Sequence, residues 1–298
     1  MKSSRNFCCK AAPALFLFLL NGYAYGQITP EETIEGYAQS ISGNVGVHAL
    51  LIETGESISH DADQRFPMQS VYKFPIAMAV LDQVDQGILG LGQVIRVTPS
   101  DYIPRGYSPI RDKFPEGTEL TIRQLLKYTI RSDGSASDVL LKTIGGAEVA
   151  DEYVSSLGVA DEDMAIALPE MIQVVNDTIQ YQNYSTPRAM TRLLKIFSMD
   201  SVLSEASRSL LFQDMVDSMT GLGRIKGLLP KGTIVAHKTG TSATYDGLTR
   251  ATNDAGIIVL PNGKHLAITV FISDSHASDK ERDQVIANIA KSVFDYWK

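Results

Sequence analysis

Phe66-Pro67-Met68-Gln69-Ser70-Val71-Tyr72-Lys73 is the stretch on which the reading of this chain turns. Ser70 and Lys73 stand three residues apart, so on a helix their side chains share one face, within reach for an amine to take a hydroxyl proton. A helix beginning near Ser70 also aims unpaired first-turn amides and a positive dipole end at whatever the serine attacks. Nucleophile, basic partner and anion-stabilising pole thus fit into four residues. Downstream, Ile76 to Leu81 is almost wholly apolar, which predicts a buried helix holding the serine rigidly. Ser-x-x-Lys alone is weak, because ordinary residue frequencies give about one such match in a chain of this size. Its partners decide.

Working outward, Thr29-Pro30-Glu31-Glu32 reads as a capped helix start running to about Ser40, and Val45 to Glu53 as a strand closed by a turn at Glu53 to Glu56. Thr98 to Gly117 is a loop rich in Pro, Gly, Tyr and charge. Thr121 to Gln124 opens a second capped helix that leads into Ser132-Asp133-Gly134, and a further helix spans Ser137 to Ile144 before Gly145-Gly146. Periodicity fails from Met164 to Ser185, and long irregular segments in compact domains are commonly functional. Thr186-Pro187 restarts helix, and Gly221 to Gly232 is a glycine-punctuated loop. Strands then return: Thr233 to His237 leads into Lys238-Thr239-Gly240, and Ala255 to Leu260 pairs with Leu266 to Ser273 through Asn262-Gly263, a two-residue hairpin signal. The last helix, Asp279 to Trp297, carries Val285, Ile286, Ile289, Val293 and Phe294 on one face.

This order predicts a mixed α/β (α+β) fold in which the chain ends build an antiparallel sheet with flanking helices and the middle is helical. The expected division is an α/β part over 27–65 and 215–298 and a helical part over 66–214, with a ligand cleft between them. Residues 1–26 read as an export signal: Lys2, Arg5 and Lys10 precede the apolar run Ala11 to Leu20, and Ala24-Tyr25-Gly26 is a small-x-small cleavage site. That run is too short to span a bilayer. Both cysteines, Cys8 and Cys9, fall within the signal, so the mature chain is expected to form no disulfide and no thiolate site. Losing the three signal cations takes the formal net charge from −7 to −10. An acidic exported chain is a poor partner for nucleic acid or anionic lipid, although a few placed cations can still hold a small anion.

Two more groups accompany Ser70 and Lys73. Ser132-Asp133-Gly134 supplies a second hydroxyl, although Ser-Asp recurs at Ser100-Asp101, Ser273-Asp274 and Ser278-Asp279, where a turn or cap explains it. Lys238-Thr239-Gly240-Thr241-Ser242 combines a lysine, hydroxyls and a glycine that permits close approach, as a carboxylate cradle requires. A lysine guarding a sheet edge looks the same. Ser-x-x-Lys, Ser-Asp-Asn and Lys-Thr-Gly in this order are the signature of class A β-lactamases and penicillin-binding proteins, matched here except at Gly134. The sequence resembles the class A serine β-lactamase family over nearly all of the mature chain. Phe66 to Lys73, Gln180 to Asn183, Leu228 to Ser242 and Ala251 to Asn253 are similar to its PER- and VEB-type extended-spectrum branch.

The resemblance implies the serine β-lactamase fold, hydrolysis of penicillins and cephalosporins through an acyl-Ser70 intermediate, no cofactor, a monomer and a periplasmic location. It implies Lys73 as the proton partner of Ser70 and Ser132 as the relay to the leaving nitrogen. Lys238, Thr239, Thr241 and Ser242 would bind substrate, Arg224 would back Lys238, and the Ser70 and Thr241 amides would form the oxyanion hole. Tyr107 resembles the aromatic gatepost of the cleft. Deacylation needs a base, and among Glu162, Asp163, Glu170 and Asp177 the spacing to Asn183 favours Glu170. The alternative is a slow D,D-peptidase-like or penicillin-sensing protein.

Two positions depart from the family pattern. Gly134 replaces an asparagine amide at a substrate-binding position, and Val174 stands where an asparagine helps hold the deacylating water, leaving Gln173 or Asn176 to substitute. An asparagine restored at 134 is expected to fit without strain and to gain about five- to tenfold on acylamino substrates. His48, His60, His237, His265 and His276 have no carboxylate or cysteine at ligand spacing, so no metal site is expected.

Overall fold

Along the strand His265–Ser275, Ile268, Val270 and Ile272 face one apolar cluster while Ala267 and Phe271 face another, the two-residue period of a strand covered on both sides. That strand is central in a computed structural model that describes residues 29–298 apart from 160, 161, 176 and 200. The segment read as an export signal lies outside the described residues.

The main sheet runs Ser57–His60, Asn44–Leu51, His265–Ser275, Leu248–Val259, Val235–Thr241 in spatial order, with Thr244–Tyr245 paired to the start of Leu248–Val259. Every neighbour is antiparallel. The first strand therefore pairs with the last, Val47 opposite Val270, which is why both chain ends are needed for one layer. On one face the helices Pro30–Gln39 and Asp279–Trp297 bury Ile34, Val285, Ile289 and Phe294 against Val45, Val47 and Ile258. Both starts are capping boxes, so two otherwise unpaired amides at each end are satisfied locally.

The other face meets the helices of the chain's middle. Lys73–Asp85 buries every residue from Lys73 to Leu81, and Gly134–Ile144 and Pro187–Met199 pack into the same cluster. The capping box at Thr121 starts Ile122–Ile130 as its sequence implies. Gly134–Ile144 begins three residues earlier than expected because the Asp133 carboxylate caps it, accepting from the Ala136 amide at 2.9 Å. The hairpin after Val259 is longer than a two-residue turn. Leu260 N donates to Lys264 O at 2.8 Å, so Pro261-Asn262-Gly263 forms the loop, with Gly263 at φ +82°. The segment without periodicity is short pieces: Met164–Ala165, Glu170–Gln173, Ile179–Gln182 and Tyr184–Ser185.

Candidate active site

Ser70 lies in a short 3₁₀ turn, Gln69–Tyr72, that runs directly into the Lys73–Asp85 helix, one turn tighter than the α-helical start its spacing suggests. Two devices hold this turn against the sheet. The Asn253 amide, fully buried, donates to Pro67 O at 2.7 Å and Met68 O at 3.2 Å. Gly240 provides the second, since a Cβ there would lie 2.4 Å from Met68 O and 3.1 Å from the Ser70 nitrogen. Only a glycine lets the edge strand approach the nucleophile this closely. Gln69, just before Ser70, has φ +46°, a left-handed conformation that costs energy in a non-glycine residue and is found where the surroundings impose it.

Lys73 is fully buried, and its Nζ lies 2.7 Å from Ser70 Oγ and 2.6 Å from Glu170 Oε2. Lys73 Nζ thus links the serine to a carboxylate 97 residues away. Glu170 is brought there by a fastened segment. Asn183, also fully buried, accepts from the Ala167 and Leu168 amides at 2.8 and 2.9 Å, and its own carbonyl accepts from Met68 N at 2.9 Å. Asp138 accepts from the Glu170 and Met171 amides at 2.7 Å each, capping the short helix that carries Glu170. Burial and the neighbouring Glu170 charge raise the Asp138 carboxyl to about 7, against the pull of those two amides. The far end is tied to the sheet by Arg250 bound to Asp177 and by the Tyr181 hydroxyl bound to Asp274.

Ser132 is presented in a left-handed conformation, φ +73°, pinned by its amide to Thr129 O at 2.9 Å. Beside it the buried Asp133 accepts from Ser108 Oγ and Ile110 N at 3.1 and 2.7 Å. Lys238 Nζ donates to Ser132 Oγ at 2.6 Å and to Thr239 O at 2.8 Å. Burial and the neighbouring Lys73 hold the Lys238 ammonium well below the usual lysine range. Arg224 acts on Lys238 through its charge, which helps to lower the lysine's pKa. Its guanidinium donates to Thr241 Oγ1 at 2.7 Å, to Gly240 O at 3.1 Å and to Asn253 O at 2.9 Å, and pairs with Asp283 at 2.7 Å. The arginine therefore braces the end of the Lys-Thr-Gly-Thr strand.

A cleft of about 370 Å³ lies against this cluster, with Lys73 and Lys238 fully buried behind its lining. Ser70, Ser132, Glu170, Arg224, Thr239, Thr241 and Ser242 line it, with Tyr107 at its mouth, 60% exposed. Tyr245, absent from the sequence reading, also lines the cleft and is partly exposed. Val174 and Gln173 line the wall below Glu170, with the Gln173 amide donating to Leu168 O at 3.1 Å; Asn176 lies outside the described residues. Among the described residues no group of three His, Cys, Asp or Glu side chains could hold a metal ion.

The residues 29–297 match the profile of the Beta-lactamase enzyme family. The chain belongs to the β-lactamase enzyme family. It is 40% identical over 267 residues to the β-lactamase VEB-1 of Pseudomonas aeruginosa, covering 89% of each chain. Identity to the extended-spectrum β-lactamase PER-1 of the same organism is 38% over 269 residues, covering 89% of this chain and 86% of that one. The crystal structure of a β-lactamase from Chitinophaga pinensis superposes with a TM-score of 0.88 at 43% identity, over 90% of this chain and 99% of that one. Fold and sequence together make the enzyme a class A serine β-lactamase with the serine β-lactamase fold.

Gly134 requires a correction. An ideal Cβ there would lie 2.5 Å from Ile103 Cδ1 and 2.9 Å from Glu170 Cγ, so an asparagine does not fit without strain. The residue is the first of its helix, and its amide donates to Tyr107 O at 3.0 Å. The space an amide would fill is taken by Ile103 and by the Glu170 side chain. Ile103 can rotate away, but Glu170 can move only by leaving Lys73. Gly134→Asn is therefore expected to lose about tenfold in turnover, in line with overpacking costs of roughly 1–3 kcal/mol. Steady-state kinetics on cephalothin-like and oxyimino cephalosporins check this, and a gain on either would restore the idea of a missing contact.

Proposed function

We propose that the enzyme hydrolyses the lactam amide of penicillins and cephalosporins through an acyl-Ser70 intermediate, with Glu170 as the deacylating base. The observation that carries this reading is the continuous contact Ser70 Oγ, Lys73 Nζ, Glu170 Oε2, at 2.7 and 2.6 Å, at the floor of the cleft. Ser70 Oγ attacks the lactam carbonyl as Lys73 takes its proton. The amides of Ser70 and Thr241 receive the developing oxyanion. Ser132 gives a proton to the departing nitrogen and is recharged from Lys73. Water then attacks the ester carbon as Glu170 takes its proton, the bond to Ser70 Oγ breaks, and that proton passes from Glu170 through Lys73 to Ser70 Oγ. Rapid-quench mass spectrometry of the unmodified enzyme with a chromogenic cephalosporin tests this. A transient adduct on the peptide holding Ser70 is expected; hydrolysis with an adduct elsewhere, or none on any timescale, would overturn it.

Lys238, Thr239, Thr241 and Ser242 hold the substrate carboxylate in this reading, and a depressed ammonium gives that role a pH signature. Lys238 binds an anion only when protonated. Because its burial lowers the pKa, KM should rise with pH earlier than for an ordinary lysine, while the acid side of the KM profile is unaffected. Lys238→Ala should lower kcat/KM by about ten- to over a hundredfold, the value of a charge-assisted contact. Arg224→Ala should cost less. A larger loss for the arginine variant would exchange their roles.

Export to the periplasm and cleavage near Gly26 are supported by the basic start, apolar run and small-x-small site of residues 1–26. No helix among the described residues is long and apolar enough to cross a membrane. A monomer is the simplest assembly, testable by light scattering.

A further inference from the structure

Tyr72 is fully buried one residue before Lys73, and its hydroxyl lies 3.2 Å from Glu170 Oε2, the same oxygen that Lys73 holds at 2.6 Å. Nothing in the motif pattern asks for a phenol here; position 72 lies on the buried side of the nucleophile turn, where any large apolar side chain would pack. Lys73 Nζ itself sits beside the ring, 5.2 Å from its centroid. Burial and the charges of Glu170 and Asp138 push the Tyr72 phenol well above its usual range, so it keeps its proton at every working pH. A phenol that cannot ionise, facing a carboxylate oxygen, acts as a donor.

We propose that Tyr72 is a positioning residue for deacylation: by donating to Oε2 it locks the rotation of the Glu170 carboxylate and leaves Oε1 to bind and deprotonate the hydrolytic water. This rests on Glu170 being the base. In the step it serves, water oxygen bonds to the acyl carbon, one water proton goes to Oε1, and the bond from that carbon to Ser70 Oγ breaks. That proton returns from Glu170 to Ser70 Oγ by way of Lys73 Nζ, 2.6 and 2.7 Å away, to regenerate the hydroxyl, and Tyr72 neither gives nor takes one. Two donors on one carboxylate oxygen fix the plane of the group, where a lysine alone on a flexible stem leaves it free to turn. The geometry also explains how a site with Val174 beside Glu170, and no amide contributed at 134, still orients its base.

The test is Tyr72→Phe, which removes one oxygen and leaves the ring. Pre-steady-state acylation should be unchanged, while the deacylation rate falls by about ten- to a hundredfold, as for loss of one hydrogen bond to a charged group. The charged groups facing Glu170 are Lys73, Asp138 and Lys238, and all three remain. In a Glu170→Gln background the second substitution should add nothing. An unchanged deacylation rate would overturn the proposal, as would equal slowing of acylation and deacylation, the mark of a packing defect. If Glu170→Gln itself turned over normally, the assignment of the base would fail instead, whatever Tyr72→Phe did.

Discussion

Glu170→Ala is expected to acylate and then stop, so that a penicillin leaves a stable mass increase on nearly every molecule. The carboxylate lies 2.6 Å from Lys73 Nζ and lines the cleft, a position from which it can reach a water behind an ester on Ser70. Loss of a positioned general base costs about 10²–10⁴ in rate. Acylation survives because the nucleophile turn is held by Asn253 and Gly240, which do not depend on Glu170. The variant should also be less stable, since it leaves the fully buried Lys73 without its carboxylate partner. Time-resolved mass spectrometry separates the outcomes. Unchanged turnover would move the role to Glu162, Asp163 or Asp177, of which Asp177 is already engaged by Arg250 and by the Gln180 amide at 3.0 Å.

Ser70→Ala should abolish both covalent labelling and hydrolysis, a loss on the order of 10⁴–10⁶ in kcat. Here the whole covalent route disappears, where Glu170→Ala removes only its second half. Substrate binding should survive, because Lys238, Thr239 and Arg224 are held by contacts that do not pass through the serine. The variant should thus bind β-lactams reversibly, seen as a raised melting temperature on adding ligand. Labelling that persisted at another serine would sink the assignment of the nucleophile.

The contrast between Gly134 and Tyr72 shows where sequence reasoning stops. Gly134 stood out because a familiar amide was missing, which suggested room to restore it; the structure fills that room with Ile103 and Glu170. Tyr72 was silent because a tyrosine on a buried face reads as packing. Its chemistry exists only because a segment 98 residues away delivers a carboxylate to its hydroxyl. Asn253 and Asp138 were silent for the same reason. A polar residue in a strand or a helix says nothing about which distant amide or carbonyl it will satisfy.

By itself the sequence determined what is local. Capping boxes at Thr29, Thr121 and Ser278, alternation in the strands and the spacing of Ser70 to Lys73 depend on neighbours within four residues, and each formed. It also nominated the candidate reacting groups, since a hydroxyl, an amine and a carboxylate are fixed by residue type. Tertiary structure decided how those groups meet. Sheet pairing of Asn44–Leu51 with His265–Ser275 closes the chain, Asn183 fastens the Glu170 segment to Met68, and Gly240 lets the edge strand reach the nucleophile. Those contacts are set by ångström-scale packing between residues far apart in sequence. A shift that leaves every motif intact can still separate a carboxylate from its lysine, and for that physical reason only the folded chain could settle them.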